Sequence, residues 1–280
     1  VNGLKLSLKD KFALNENDKI NLICNDLNSN KGIVTDIQTR DVEKQSPKLF
    51  SLSKLQGFCG KKFKLKPAET LSIVQSLYEK GYVTYPRTNT EYLSENEKHT
   101  VLHLLEVHDK NNVLLFKDSK RIFDDSKIES HSALMPTDKV ANYDSFSSNE
   151  KKVYQAIFAR FNSVFWKEPC IVTETEATIH VGRQFPNDLK IKGQAVKSKG
   201  WMRVYGDVSV DKAIPLLSIN QTLDVDFKPV EKKTQPPKPY TVESLGNWMV
   251  HPFKKVTDTE DDEYKALLSG CEIGTDETRS

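Results

Sequence analysis

The hydrophobic pattern changes its period along the chain, and this change most limits the folds available to it. Short β-prone runs fill the first part, helical spacing dominates the middle, alternation returns later, and a short helical stretch follows. Because β-type segments lie on both sides of the helical part, a helical domain inserted into a β domain explains the order better than two sequential domains. A length of 280 residues also favours more than one domain.

The predicted fold class is therefore multidomain, with both α and β structure. An antiparallel β arch domain carries an inserted all-α domain that holds the candidate tyrosine, and a short helical segment ends the chain. The predicted domains are the first part of the arch at 1–53, the helical domain at 54–167, the second part of the arch at 168–238, and the start of a truncated C-terminal helical domain at 239–280.

Short β-prone runs support the two arch segments. Lys19–Cys24 and Gly32–Gln38 are separated by the turn residues Asn28–Gly32, which predicts a hairpin. Ile171–Val181 alternates apolar or small residues with Glu and His, and Leu223–Phe227 alternates with Asp. Such one-sided strands suit an antiparallel sheet.

Start signals and apolar spacing predict the helices. Pro67 suits the first turn of a helix that continues to Lys80. Capping boxes at Ser94–Glu97 and Ser147–Glu150 each open a further helix. A last helix is predicted over Thr241–Met249.

The segment Leu77–Thr90 carries the chemistry that the local residues suggest. Gly81 suits the left-handed turn that ends a helix, and Pro86 excludes Tyr85 from the α region. The phenol then lies on extended backbone two residues before Arg87, an arrangement suited to attack on a phosphodiester. The alternative is that Tyr85 is an ordinary half-buried strand aromatic.

The charge pattern leaves the partner open. A formal net charge of +2 does not by itself indicate nucleic acid. Three basic clusters fit either a phosphate-tracking groove or a solvated surface. They are Lys61, Lys62, Lys64 and Lys66; Lys190, Lys192, Lys197, Lys199 and Arg203 around Trp201; and Lys228, Lys232, Lys233 and Lys238. The acidic run from Asp258 to Glu263 is interpreted as a solvated loop.

Cysteine spacing and hydropathy narrow the class of protein. The four cysteines lie far apart, without the spacing of a zinc site or a disulfide framework, and a reducing cytosol is the default. No apolar run reaches the length of a membrane span, and no signal-peptide core is present. The chain begins at Val1, which suggests a piece of a longer protein.

Five segments, in order, resemble those of type IA DNA topoisomerases, and Tyr85-Pro-Arg-Thr88 resembles the topoisomerase III branch most. The similarity extends from about Phe12 to Ser280. The segments are Pro47–Gln56, Leu77–Thr90, His131–Thr137, Gln235–Leu245 and Ile273–Arg279.

The resemblance implies transient cleavage of single-stranded DNA, strand passage and religation without ATP. It makes Tyr85 the nucleophile, which becomes joined to the 5′ phosphate of the cut strand as a phosphotyrosine. Arg87 and His131 are then its catalytic partners. It also implies four DNA-binding residues, namely Thr84, Thr88, Thr275 and Arg279. It further implies a bacterial protein, nucleoid-associated or plasmid-encoded, that works in the cytoplasm with Mg²⁺.

Departures from the family pattern bear on these expectations. Asn89 stands where Asp is usual, and Asp276 and Glu277 stand where small residues or proline are common. No segment matches the Toprim domain, so Mg²⁺ is expected on a Toprim-bearing remainder of the same polypeptide. No metal ligand is assigned here, and the fragment alone is expected to be inactive.

Three other interpretations stay open from the sequence. The first is a non-catalytic module that kept the fold and binds single-stranded nucleic acid. The second is another tyrosine-based DNA-breaking enzyme, a recombinase or relaxase. The third is a metal pair at His99 and His103, for which a solvated helix face is the alternative.

Overall fold

The computed structural model describes residues 11–205, 214–250, 252 and 273–274. Its helices are α1 (Asn17–Asn28), α2 (Leu52–Phe63), α3 (Pro67–Glu79), α4 (Lys98–His108), α5 (Ser148–Phe165) and α6 (Val242–Val250). Its strands are β1 (Gly32–Glu43), β2 (Ile171–Val181), β3 (Asn187–Ser198) and β4 (Thr222–Leu223).

The chain divides into two compact units. The sheet unit comprises Val1–Gln45, Pro169–Gly200 and Asp207–Pro236, and the helical unit comprises Ser46–Glu168, Trp201–Gly206 and Pro237–Ser280. The main segment of the helical unit thus lies, in chain order, between two segments of the sheet unit.

The sheet is antiparallel, as the one-sided alternation of its strands predicts. Its strand order is β3-β2-β1-β4. The central pair is long, because β1 and β2 pair from Ile33 opposite His180 to Glu43 opposite Ile171, with one shift of register between Val34 and Asp36.

The predicted hairpin before β1 is wrong, because its first arm is the helix α1. Ile23 and Leu27 lie one helical turn apart, and both are buried against Val34 and Ile179 of the sheet. The β preference of Lys19–Cys24 is therefore outweighed by the burial of Ile23 and Leu27, which only a helical spacing provides.

A carboxylate of α1 closes the loop between β2 and β3. Asp26 Oδ2 accepts hydrogen bonds from the backbone N–H groups of Arg183, Gln184 and Phe185 at 2.9, 3.1 and 2.9 Å. These bonds lower the pKa of Asp26, and the bond from Phe185 has the largest effect. Gly182 precedes them at φ 88°, a left-handed conformation that suits glycine.

The basic cluster on β3 is paired with carboxylates. Lys190 and Lys192 contact Glu176 at 2.9 and 2.7 Å, and Lys197 contacts Asp41 at 2.5 Å. Lys192, followed by Lys190, lowers the pKa of Glu176 to about 2. Because these lysines are neutralised within the sheet, their contacts favour a solvated surface over a phosphate groove.

Helix α5 runs through the helical unit and joins its two apolar clusters. Val153 and Ile157 pack in one cluster, and Phe161 and Phe165 pack in the other, all with at most 1% exposure. These four residues recur at every fourth position, which is the apolar spacing of a helix with one buried face. Both predicted capping boxes form, at Ser94 and Glu97 before α4 and at Ser147 and Glu150 before α5. The first leads through a turn of 3-10 helix.

Candidate active site

The segment that carries Tyr85 leaves α3 through a glycine turn. Gly81 has φ 77°, as its position predicts. The Gly81 N–H donates to the Tyr78 carbonyl at 2.8 Å, and the Tyr82 N–H donates to the Leu77 carbonyl at 2.9 Å. These bonds satisfy carbonyls at the helix end and turn the chain sharply into an irregular segment.

The histidine segment, His131–Thr137, lies antiparallel to the tyrosine segment. Val83 and Pro136 form an antiparallel bridge. The Thr84 N–H donates to the Met135 carbonyl at 3.0 Å, and the Thr137 N–H donates to the Tyr82 carbonyl at 3.1 Å. Two segments some fifty residues apart are thereby fixed side by side.

The segment before α2 completes this arrangement. Phe50 and Leu134 form a second antiparallel bridge, in which the Leu134 N–H donates to the Phe50 carbonyl at 2.8 Å. The Leu52 N–H donates to the Thr88 carbonyl at 2.9 Å. Three of the five segments that carry the family resemblance therefore meet in one place.

The Tyr85 ring lies between two other rings. Its centroid is 4.3 Å from that of His131, with the planes tilted by 44°. On another side, Tyr78 of α3 meets Tyr85 edge to face at 5.5 Å. Tyr85 is half-buried and His131 is exposed, so the phenol has a fixed orientation close to solvent.

Arg87 is held next to α3. Its Nη1 donates to Gln75 Oε1 at 3.4 Å, and the residue is half-buried. Gln75 and Tyr78 thus contact the two central site residues from one face of α3. Sequence reasoning assigned no site role to either, and their spacing of three residues on a predicted helix was the available signal.

The Thr84 hydroxyl bonds to the histidine segment. Its Oγ1 lies 3.4 Å from the carbonyl oxygens of both Ala133 and Met135, and it accepts from the Met135 N–H at 3.1 Å. The predicted contact of Thr84 with DNA stays a prediction.

Thr88 is 2% exposed, and its Oγ1 donates to the His131 carbonyl at 2.9 Å. This bond joins Thr88 to the histidine segment, and the predicted contact of Thr88 with DNA stays a prediction. Thr88 is the first of three consecutive side chains that bond to residues 127–131.

The other two are Asn89 and Thr90. Asn89 Nδ2 donates to Glu129 Oε2 at 2.9 Å, and Thr90 Oγ1 donates to the Lys127 carbonyl at 2.7 Å. We call these three hydrogen bonds the 88–90 ladder. It fixes the stretch that leads into His131.

Replacing Thr88 with valine is expected to lower the free energy of unfolding of the helical unit by about 1–2 kcal/mol. Valine keeps the shape but leaves the His131 carbonyl without its buried hydroxyl partner. Thr88→Ser keeps the hydroxyl and is expected to lose less than half as much. Chemical denaturation of the three proteins measures the difference, and equal losses for valine and serine would contradict the assigned bond.

Metal ligation finds no support in the part of the chain that the structure describes. There, no three His, Cys, Asp or Glu side chains converge on one point. His99 and His103 lie exposed on α4, as a solvated helix face would. Cys24, Cys59 and Cys170 are free thiols, and burial raises the pKa of Cys59 to about 12, so this thiol is unreactive.

Some predicted features lie outside the described residues. They are Thr275, Arg279 and the acidic run from Asp258 to Glu263. Among the helices within the described ranges, none is long and apolar enough to cross a membrane.

Comparison with known proteins identifies the relatives of this arrangement. A family model described as DNA topoisomerase matches residues 3–280. A protein named DNA topoisomerase 1 from Alkalihalophilus pseudofirmus is 31% identical over 84% of this chain and 34% of its own length. DNA topoisomerase 3 of Bacillus subtilis is 27% identical over the whole chain and 41% of its own length.

A solved topoisomerase structure has a fold similar to that of this chain. Full-length topoisomerase I from Thermotoga maritima superposes with a TM-score of 0.64 at 19% identity, over 98% of this chain and 42% of that protein. At this identity the match shows the fold alone. The chain spans between a third and about two fifths of the length of these relatives.

Proposed function

This chain belongs to the type IA DNA topoisomerase family, and we propose that it carries the strand-cleaving part of such an enzyme. The whole protein would cut one DNA strand, pass another through the gap and reseal the first, and so relax or decatenate DNA. The observation that carries the proposal is the half-buried Tyr85 ring, held 4.3 Å from the His131 ring on the segment that also bears Arg87.

The proposed reaction exchanges one phosphodiester for another. Tyr85 Oη attacks the phosphorus and loses its proton, the bond from phosphorus to the 3′ oxygen breaks, and that oxygen leaves as a hydroxyl after taking up a proton. The tyrosine remains joined to the 5′ phosphate. The 3′ hydroxyl later attacks this ester and restores both the DNA and the phenol, so no ATP is needed.

Arg87 and His131 have distinct proposed roles. The Arg87 guanidinium stabilises the charge that grows on the phosphoryl oxygens. The exposed imidazole of His131 contacts the phenol ring and can hydrogen-bond the phosphate beside it. Thr84 is proposed to bind the phosphate as well, although its hydroxyl also bonds within the site.

The described residues offer no site that fits Mg²⁺, so no step of this reaction is assigned to the metal. We propose that Mg²⁺ is bound by a Toprim-bearing remainder of the same polypeptide in the bacterial cytoplasm. The sheet unit would then form part of the family's β arch and the helical unit its inserted domain. Single-stranded DNA is the proposed substrate.

The test is an adduct assay with labelled single-stranded DNA and denaturing electrophoresis. The full-length protein is expected to give a covalent protein–DNA band. The 280-residue chain is expected to give none alone and to gain one when a Toprim-bearing piece is added. Robust cleavage by the chain alone would contradict the division of the site. A full-length protein that binds the DNA without any adduct would instead be a non-catalytic binding module.

A further inference from the structure

Asn89 is the middle rung of the 88–90 ladder, and the chemistry of this rung differs from that of its neighbours. Thr88 and Thr90, which are 2% and 6% exposed, donate to backbone carbonyls. Asn89 donates instead to a side chain, Glu129 Oε2, at 2.9 Å. The middle rung therefore depends on the identity of both residues, whereas the outer rungs depend on one.

Glu129 stands two residues before His131, and the ladder holds the stretch between them. The His131 carbonyl is the acceptor of the Thr88 rung, and the His131 ring packs on Tyr85. A change in the middle rung therefore acts on the short stretch that sets the direction of the imidazole. From this we propose that Asn89 and Glu129 form a matched positioning pair that keeps His131 against the nucleophile, an inference that rests on the function proposed above.

The pair requires one donor and one acceptor. The Asn89 amide donates, and the Glu129 carboxylate accepts. An aspartate at position 89 would have no proton to donate at neutral pH. It would also place a second negative charge at hydrogen-bond distance from Glu129, and the two carboxylates would repel each other. Asn89 thus accommodates Glu129, and is not a defect of the site.

The pairing gives a reversible test in the full-length protein. Asn89→Asp is expected to slow adduct formation about fivefold, the size of a repulsion between two exposed charges. Glu129→Gln, which keeps an oxygen acceptor, is expected to slow it less than twofold. The double variant N89D/E129Q restores a donor, now on residue 129, and is expected to return the rate to within twofold of the original.

A matched control separates the pair from a general effect of added charge. Asn96 is exposed in the 3-10 turn before α4, so Asn96→Asp introduces the same charge in the same unit. It is expected to leave the rate unchanged. If Asn89→Asp behaves like Asn96→Asp, or if E129Q fails to rescue N89D, the matched pair is refuted.

A second readout does not depend on activity. Because the Tyr85 ring lies 4.3 Å from the His131 ring, it is expected to shift the NMR signals of the His131 imidazole, which are assigned by their loss in His131→Gln. Asn89→Asp is expected to move these signals towards those of an exposed histidine, and the double variant to move them back. If the original protein forms no adduct, the proposed function fails. The NMR cycle still decides the pair, since signals that stay unchanged in Asn89→Asp would refute it.

Discussion

Replacing Tyr85 with phenylalanine is expected to abolish the covalent protein–DNA adduct of the full-length protein. The substitution removes one oxygen, and that oxygen is the atom that would be joined to the 5′ phosphate. Because no other group can take its place in the ester, the loss is expected to be on the order of 10⁴-fold or more. The ring contacts with Tyr78 and His131 are kept, so binding of single-stranded DNA is expected to change less than twofold.

The neighbouring tyrosine supplies the control for this experiment. Tyr78 meets Tyr85 edge to face and carries the same phenol 39% exposed. Tyr78→Phe is therefore expected to keep the adduct. Adduct yield and binding are measured on the same labelled DNA, by denaturing gel and by fluorescence anisotropy. An adduct that persists in Tyr85→Phe and disappears in Tyr78→Phe would move the nucleophile to α3.

Replacing Glu150 with glutamine is expected to lower the free energy of unfolding of the helical unit by about 2 kcal/mol at neutral pH. Glu150 is 8% exposed and caps α5. Its carboxylate accepts from Lys80, from Ser76 Oγ at 3.0 Å and from the Ser147 N–H at 2.8 Å. The Lys80 bond is the chief cause that lowers the pKa of Glu150 to about 2. Because Lys80 is partly exposed, the contribution of the Glu150 charge to the free energy of unfolding is limited to about 2 kcal/mol.

The pKa of Glu150 also determines how the difference in unfolding free energy between the original protein and Glu150→Gln depends on pH. The carboxylate has an ordinary pKa of 4.5 and a folded pKa of about 2. Its contribution is therefore complete above pH 4.5 and is lost as the pH falls from 4.5 towards 2. Denaturation curves of the original protein and Glu150→Gln should converge over this range. A gap that stays constant with pH would refute the assigned charge effect.

A control and a functional consequence accompany this prediction. Glu106 is exposed on α4, and Glu106→Gln is expected to change the free energy of unfolding by less than about 0.5 kcal/mol. Glu150 and Lys80 connect α5 to the end of α3, immediately before the turn at Gly81. Glu150→Gln is thus expected to loosen the Tyr85 segment as well, seen as faster amide exchange at Tyr82.

Much of the secondary structure is predictable because local signals and tertiary packing agree. The boxes at Ser94 and Ser147 mark helix starts, and Gly81 marks a helix end, through bonds within a few residues. The strand prediction for Lys19–Cys24 is wrong because packing against the apolar face of a sheet determines the structure of this run. That sheet is formed mainly by distant residues.

The candidate site likewise contains residues that the sequence predicts and contacts that it does not. Local chemistry predicts Tyr85 and Arg87, and the family resemblance predicts His131. The structure brings the rings of Tyr85 and His131 into contact, and the catalytic roles stay predictions. The contacts of Thr88, Asn89, Gln75 and Tyr78 were not predicted, since each depends on a partner across a turn or on another segment. The helical spacing of Gln75 and Tyr78 was a signal that they share a face, but no period or motif in a single sequence identifies the partners of these four residues.

The distance along the chain between β1 and β2 has a consequence for synthesis of the protein. Paired residues of these strands lie 128 to 147 positions apart. On a ribosome, β1 therefore waits about 6–30 s for its partner, while the intervening helices have time to fold. An unpaired strand is an aggregation hazard, and β1 carries Asp36, Arg40, Asp41 and Glu43. These charges would protect the nascent strand before two of them, Arg40 and Asp41, form ion pairs with Glu174 and Lys197 in the finished sheet.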